Sequence, residues 1–371
     1  MMGNLVRRCL YRILPKPFAG GATGFDPARI RRVIAFRKGP NPTFTYYLEE
    51  RLKRVAVPVE IVDLHAPTGP LDVEGTYVIL CRYALPRQVW WLLRNRRQLA
   101  GLALMIDDDI AATVTEGEGK FGYRLYLLGI AIAPLLILNR LFTHVWPATR
   151  PLANRFGLSA VVAPLPPPET CHAPVRERPR PALKMIYHAT GAHDLEHRFL
   201  VPILARVLAQ CPDVRFEVVA SGNSARLWKG LVHQGAFSAR VDLIRESRWP
   251  DYLRRTTQEG ADLALAPLLP GRVNDVRSDT KRIDVARLGA AAVLSRCPAY
   301  DRCTVPEEML VDHDPERWVE HVVRLLQDET ARRVSAEAVR RSVERMVEHA
   351  SPFLPGLEQC MQASNERVGG V

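Results

Sequence analysis

The chain has 371 residues, which suits two domains better than one core. Its apolar share of 47% and charged share of 25% are those of a soluble globular protein and exclude a fibrous or wholly disordered chain. The 51 Lys+Arg against 40 Asp+Glu leave a net charge of +11, a balance that favours phosphorylated ligands, polyanions or an anionic membrane surface, while the absence of zinc-finger spacing and of an aromatic RNA-binding signature argues against nucleic acid as a partner.

Taken in chain order, the first residues, "MMGNLVRRCLYRILPKPF", lack the long apolar stretch and small-residue cleavage site of a signal peptide. They read as a loose terminus, with a short membrane-surface helix as the alternative. A strand follows over Arg31 to Phe36, then the glycine loop "KGPNP" and a helix over "TFTYYLEERLKRV". Further strands are expected at Val59 to Leu64, Gly75 to Arg82 and Gly101 to Ile110, the last ending in Asp107, Asp108 and Asp109, with a helix over "LPRQVWWLLRNRRQLA" between them. The run Leu125 to Leu138 is strongly apolar, but 14 residues with Pro134 inside are short for a membrane span. It reads as a buried or interfacial helix, with monotopic membrane contact as the second reading. A strand over Leu141 to Thr149 and the helix "RPLANRFG" close this half. Such alternation implies a parallel sheet with right-handed crossovers.

Pro164 to Pro181 holds seven prolines and reads as a semi-stiff linker. The pattern then restarts. Strands are expected at Ala182 to Ala189, Val214 to Ser221, Arg240 to Glu246, Ala261 to Leu268 and Ala290 to Ser295. Helices are expected at Asp194 to Gln210, with Asp194 as N-cap, and from Pro315 onward. The expected organisation is therefore an N-terminal Rossmann-like domain over 1–163, a linker over 164–181, a second Rossmann-like domain over 182–345 and a tail over 346–371 that could cross back to the first. The seven cysteines are scattered singly, without a C-x-x-C pair, which fits a reducing cytoplasm and argues against a zinc site.

Ligands of open parallel sheets gather beyond the carboxyl ends of strands, so the loops at those ends carry the functional expectations. After Ala261 to Leu268 the chain runs "LPGRVNDVRSDTKRIDVARLG". Ser278 reads as an N-cap and Gly289 as the residue closing the helix. The first-turn N–H groups and the dipole favour a phosphate or diphosphate there. Lys281 adds a positive charge in the first turn. Asp284 is three residues on, about 5–6 Å away, where a carboxylate can reach a ribose diol. Arg272 and Arg277 add charge at the mouth. The plainer alternative is a surface ion pair between Lys281 and Asp284. A second loop, "YHATGAHDLEH", offers Thr190 and Gly191 for close backbone approach to a ligand. His193 there can donate to a phosphate oxygen or a sugar hydroxyl, and His188 reads as structural.

These residues carry a resemblance. "ADLALAPLLPGRVNDVRSDTKRIDVARLGAAAVLS" is similar to the donor-binding segment of GT-B glycosyltransferases of the retaining group 1 (family four-like) class, with its Asn (Asn274), S-D-x-K (Ser278, Asp279, Lys281), helical acid (Asp284) and closing G-x-x-V-L-S. "WPDYLRRTTQEGADLALAPL", "MIYHATGAHDLEHRFLVPIL" and "MLVDHDPERWVEHVVRLLQDETARR" resemble neighbouring segments of that class. "LALMIDDDI" and "THVWPATRPLANRFG" match its first domain more loosely. The resemblance implies an α/β chain of two Rossmann-like domains facing across a cleft (the GT-B fold). It also implies a nucleotide-diphosphate-sugar as donor substrate, no further cofactor and no metal, a glycan or lipid-linked acceptor, and retention at the anomeric carbon.

Two departures stand out. The class commonly carries Glu-x7-Glu across this helix; here Val276 replaces the first Glu and Asp284 the second. The usual Arg and Lys of the first loop are replaced by "TGAHDLEH", which leaves Arg272 and Lys281 to neutralise the diphosphate. In the first domain, Asp108 and Asp109 are candidates to orient or deprotonate the acceptor hydroxyl, with His193 as a further catalytic candidate. Capping and solvation is the structural alternative for the carboxylates, and a D-x-D metal site is disfavoured by the two repeated α/β halves. Arg37, Lys38 and Gly39 are candidates for acceptor contact, with a plain turn as the alternative.

The expected activity is transfer of a sugar to a glycan or glycolipid hydroxyl in bacterial surface polysaccharide or glycoconjugate synthesis. The expected location is cytoplasmic, with association at the inner membrane face as an option. An epimerase of the same fold and a non-catalytic sugar-nucleotide-binding subunit are the alternatives.

Overall fold

Continuous apolar runs such as "TYVILC" and "GLALMI" become strands covered on both faces, and all twelve of those residues are buried. In the computed structural model, described over residues 2–66, 72–116, 121–171, 182–189, 193–233, 237–302 and 305–361, they belong to the first of two sheets. That sheet contains β1 (Arg32–Arg37), β2 (Val59–Asp63), β3 (Thr76–Cys81), β4 (Gly101–Ile106) and β5 (His144–Pro147). Its order is β2-β1-β3-β4-β5, all parallel. The order reverses between β1 and β3, so the carboxyl ends of these two strands form its topological switch point.

The second sheet contains β6 (Leu183–His188), β7 (Val214–Val219), β8 (Val241–Ile244), β9 (Leu263–Ala266), β10 (Ala291–Ser295) and β11 (Leu310–Val311). Its order is β11-β10-β9-β6-β7-β8, again all parallel, with the reversal between β6 and β9. Its core packs Leu200, Leu204 and Val207 of the helix Asp194–Gln210 and Trp318, Val322 and Leu325 of the helix Pro315–Gln327 onto Phe216, Leu263 and Val293.

The chain divides into two compact units, residues 1–167 with 349–371, and 168–348. The returning tail is tied to the first unit by backbone acceptors. Buried Arg51 donates to Tyr47 O, Ala163 O and Ser351 O at 2.8 to 3.0 Å, and Trp146 Nε1 donates to Pro355 O at 3.1 Å. Burial pulls the Arg51 guanidinium down to about 10. Most of the proline-rich segment, residues 172–181, lies outside the described residues.

Several local expectations are corrected. The first residues form a helix, Met2–Ile13, rather than a loose terminus, because Tyr11 on its inner side is buried and hydrogen-bonded. The helix expected over "TFTYYLEERLKRV" has a π turn, Thr45–Glu49, in its middle. The apolar run becomes Phe121–Leu127, a π turn Leu128–Ile132 and Leu135–Leu138. The helix Gly222–His233 was not foreseen. Its polar start, "GNSARLWK", hides an apolar anchor, fully buried Trp228.

Candidate functional site

Chemistry-bearing side chains gather at the carboxyl edge of each sheet, and the two edges differ. In the first unit, β3 ends in Cys81 and the next residue is Arg82, whose φ is +70, the one positive φ of a non-glycine residue among those described. Backbone held in that region costs of order 1–3 kcal/mol and persists where surrounding structure demands it. Here its N–H donates to Met105 O of β4 at 3.0 Å. Its guanidinium lies 3.1 Å (Nε) from Asp107 Oδ1 and 3.3 Å (Nη2) from Asp108 Oδ2. Thr43, from the helical turn after β1, donates its hydroxyl to Asp107 Oδ2 at 2.6 Å. Burial first, and the Asp108 charge second, push the Asp107 carboxyl above its ordinary value, with Arg82 and Thr43 opposing. Loops after β1, β3 and β4 thus bring Thr43, Arg82, Asp107 and Asp108 together at the switch point. Arg82 was missed in the sequence, where nothing marks a residue that must take a left-handed backbone.

Asp109 is corrected. Its carboxylate is wholly buried, accepting from Ala112 N at 2.9 Å, Tyr11 OH at 2.8 Å and Arg155 Nη1 at 3.1 Å. It caps the helix Ile110–Glu116 and holds the first helix, so no oxygen is directed at a substrate. Arg37 stacks on Phe44 and Lys38 on Tyr126, with the cationic groups 4.7 and 4.4 Å from the ring centroids. Gly39, at φ +58, donates its N–H to Asp63 Oδ2 at 2.6 Å. These three residues are engaged in shaping the turn after β1.

In the second unit the edge is cationic. The loop after β9 carries the short 3-10 turn Asn274–Val276 and leads to the helix Lys281–Arg287. Ser278 is corrected as N-cap: the cap position is Thr280, with no side-chain cap bond. Asp279 decides this. Its fully buried carboxylate accepts from Arg282 Nη1 at 3.1 Å and from Arg302 Nη2, and its carbonyl accepts from Arg282 N at 2.9 Å. The turn tightens around Asp279, and Ser278 Oγ is left buried with no hydrogen-bond partner among the described residues. Asp194 is likewise not the N-cap but the first helical residue; His193 takes the cap position without a side-chain cap bond.

His193, Asn274, Arg277 and Glu196 form one network. Asn274 Nδ2 donates to Glu196 Oε1 and to Leu269 O, each at 2.8 Å, while its Oδ1 accepts from Arg277 Nη1 at 3.0 Å. The Arg277 guanidinium lies 3.3 Å from His193 Nε2, and His193 Nδ1 lies 3.5 Å from a Glu196 oxygen. Burial, and then the Arg277 charge, lower the His193 pKa, so the ring beside the guanidinium is neutral at physiological pH. Burial alone would raise Glu196, but its hydrogen bonds from His193 and Leu269 N bring it down to about 2. At the end of β6, His188 Nε2 pairs with Glu217 Oε1 at 2.7 Å, and Lys184 and Arg255 approach the same carboxylate at 2.8 and 3.2 Å.

Lys281 faces this edge. Burial is the main cause that lowers the pKa of both His188 and His193, and the Lys281 charge adds to it. Lys281 is 36% exposed and 3.6 Å from Asp284 Oδ2, while Asp284 Oδ1 accepts from buried Arg287 at 2.7 Å. The surface-pair alternative therefore describes the pair as it stands, and the ammonium remains partly exposed. Arg272 lies in the same loop, half-buried; Val276 is buried apolar core. Thr190 and Gly191 lie outside the described residues. Glu196, Arg282 and Glu308 were missed. In the sequence they look like solvent-facing helical or loop charges, whereas Arg282 and Glu308 form a buried two-point pair at 2.7 and 2.8 Å.

No protein-family model matches the chain, and no curated protein matches it. Solved structures do. HepE of Anabaena, in complex with UDP and glucose, is 12% identical, covering 87% of this chain and 96% of that one with a TM-score of 0.54. A glycosyltransferase from Rickettsia africae ESF-5 is 9% identical over 86% and 96%, with a TM-score of 0.54. A mutant TarM of S. aureus, in complex with UDP among other ligands, is 11% identical over 76% of this chain, with a TM-score of 0.52; the chain spans about half, 54%, of that protein. Likeness at these identities concerns architecture, and on it the two parallel sheets of this chain are a GT-B fold.

Proposed function

We propose that this chain is a glycosyltransferase that moves a sugar from a nucleotide-diphosphate-sugar to a hydroxyl of a glycan or glycolipid acceptor. The observation that carries the reading is the convergence of Lys281, Arg277 and His193 beyond the strand ends at the switch point of the second sheet, on the loop that also holds Ser278, whose Oγ is buried with no partner among the described residues. A diphosphate suits that chemistry. Its oxygens would accept from Ser278 Oγ, Lys281 Nζ and the Arg277 guanidinium, satisfying an orphaned hydroxyl and compensating a local positive charge. Asp284, already held by Arg287, would turn its second oxygen from Lys281 to a ribose hydroxyl. HepE, of like fold, was solved with UDP and glucose.

Glycosyl transfer needs the leaving diphosphate stabilised and the acceptor hydroxyl oriented. Lys281 and Arg277 would do the first. In the first unit Asp108, and Asp107 raised by burial, would accept a hydrogen bond from the acceptor hydroxyl, with Arg82 keeping the pair from repelling itself. A surface polysaccharide or glycoconjugate pathway, retention at the anomeric carbon and a cytoplasmic site of action accompany the proposal as its finer parts.

The test is calorimetric titration of UDP, GDP, ADP and CDP into the wild type, Lys281→Ala and Ser278→Ala. One diphosphate should bind, with affinity falling about 10- to 100-fold in Lys281→Ala while the unfolding midpoint hardly moves. No binding of any of the four, or equal affinity in the lysine variant, rejects the assignment. Buried Val276, where the resemblance expects a carboxylate, favours a second reading, a non-catalytic binding subunit. Diphosphate binding without turnover of any nucleotide-sugar in the presence of acceptor extracts would select it.

A further inference from the structure

We propose that the helix Met2–Ile13, together with the exposed side of Phe121–Leu138, is a docking surface for an anionic lipid bilayer. It is coupled through Tyr11 and Asp109 to the carboxylate edge of the first sheet. The inference goes beyond the donor site and uses none of its residues.

The helix contains Arg7, Arg8 and Arg12 and no acid. Leu5, Val6, Cys9, Leu10 and Ile13 fall within an arc of about 140° on its circumference. That arc faces solvent: Ile13 is 75% and Leu5 66% exposed. Tyr11, on the opposite side, is buried and donates its hydroxyl to Asp109 Oδ2 at 2.8 Å. A lone helix in water would turn its apolar face to the protein; this one is fixed with that face outward. Arginines flanking an outward apolar arc suit the boundary between headgroups and acyl chains, where the leucines enter and the guanidinium groups meet phosphates.

The neighbouring surface continues the feature. Phe18 is about half exposed, and its backbone N–H donates to Asn139 Oδ1 at 3.2 Å, while Asn139 Nδ2 returns a bond to Lys16 O at 2.8 Å. The chain leaving the helix is thereby clamped to the end of the Phe121–Leu138 segment. That segment is long and apolar enough for a span by composition. However, 39% of it is buried in the first unit, and Pro134 and a π turn interrupt it, so it lies against the domain. Its remaining side exposes Phe121, Leu125, Leu136 and Ile137, with Leu136 at 70%. Two adjoining pieces with exposed apolar side chains, one of them arginine-rich, commit the occupant to an anionic bilayer rather than to an acidic protein, which would leave the leucines uncovered.

The coupling follows from shared residues. Pro15, Lys16 and Pro17 line a small cavity of about 20 Å³ together with Arg82, Asp108 and Ile132. Asp109, which receives Tyr11, directly follows Asp107 and Asp108. A bilayer on the outer side of the helix therefore lies one helix thickness from the carboxylates, so the acceptor class that fits is one carried on a lipid. This last step rests on the proposed transferase reading; the docking surface does not.

The test is flotation of the full chain with phosphatidylcholine vesicles, with and without about 30% phosphatidylglycerol. Wild type should float with the anionic vesicles alone and lose binding as salt rises. Arg7→Gln with Arg8→Gln should lower the partition about 30-fold, and Leu10→Glu with Ile13→Glu should abolish it, both with unchanged circular dichroism because all four residues are exposed. Wild type left in the load fraction with anionic vesicles at low salt overturns the proposal. So does undiminished flotation of the glutamate variant, or a glutamate variant whose only change is from dimer to monomer, which would make the face a self-interface. Vesicle binding needs no nucleotide, so its failure would leave the donor reading untouched.

Discussion

Asp107 at the edge of the first sheet, Glu196 at that of the second and Glu217 within β7 are all desolvated and answer it in opposite directions. Asp107 is raised, while Glu196 and Glu217 are each brought down to about 2. The difference lies in the partners. Asp107 has Thr43 and a guanidinium shared with a second acid, Asp108. Glu196 takes Leu269 N, Asn274 Nδ2 and His193, and Glu217 takes His188, Lys184 and Arg255. One edge is thus acid-rich, two carboxylates sharing one guanidinium; the other is donor-rich, Glu196 and Glu217 each holding several donors. The first is suited to receive a hydroxyl hydrogen, the second to receive phosphate oxygens.

The strongest way to break this contrast is to remove the frame of the cationic edge. Arg282→Met deletes a guanidinium buried among Glu308, Asp279 and the Tyr300 carbonyl, taking from Glu308 its two-point partner and leaving Asp279 to Arg302. Chemical denaturation should show a loss of about 3–5 kcal/mol; a loss no larger than that of a surface ion pair would mean the frame is dispensable. Next in size is the acid limb. Glu196 has an ordinary value of 4.5 and about 2 when folded, so its stabilisation is complete above the ordinary value and is lost as pH falls through the folded one. Glu196→Gln should be less stable than wild type near neutrality by roughly 3 kcal/mol, a gap that closes between about pH 4.5 and about pH 2. A gap that stays constant down that limb would contradict the donor-rich account.

The smallest expected effect belongs to the acid-rich edge, and it runs the other way. Arg82→Ala removes the main attraction that opposes burial at Asp107, so its folded pKa climbs further above the unfolded value. A group raised in this way stabilises below its unfolded pKa, and that contribution fades as pH rises through the folded one. The variant should lose stability relative to wild type as pH rises above the ordinary carboxylate value, while the backbone strain at position 82 stays, since alanine keeps its Cβ. A pH-independent difference in thermal unfolding would show that Asp107 is not the group that responds.

Much of this architecture was legible. The fully buried strands "TYVILC" and "GLALMI", the restart of the β/α pattern after the proline-rich stretch, and Gly157 and Gly289 with φ near +60 just past their helices all signal locally. So did the placement of Asp107 to Asp109 and of Lys281 to Asp284 beyond strand ends. The sequence did not reveal which charge would be spent on which. Asp108 and Asp109 are adjacent and chemically identical, yet one pairs with Arg82 at the edge and the other is consumed by Tyr11 and Arg155, 98 and 46 residues away. Arg282 and Lys281 are likewise neighbours, one wholly buried and one open to solvent.

Periodicity, caps and turn residues act over a few residues, so the sequence alone determined two parallel α/β halves, their strand ends and the loops that would carry chemistry. Hydrogen-bond partners and burial are decided by segments distant along the chain, so only the tertiary structure chose the left-handed backbone of Arg82, the outward apolar face of Met2–Ile13 and the division of the acids between frame and site. Desolvation makes that division, because a charge that packing encloses must find its donors wherever the fold brings them.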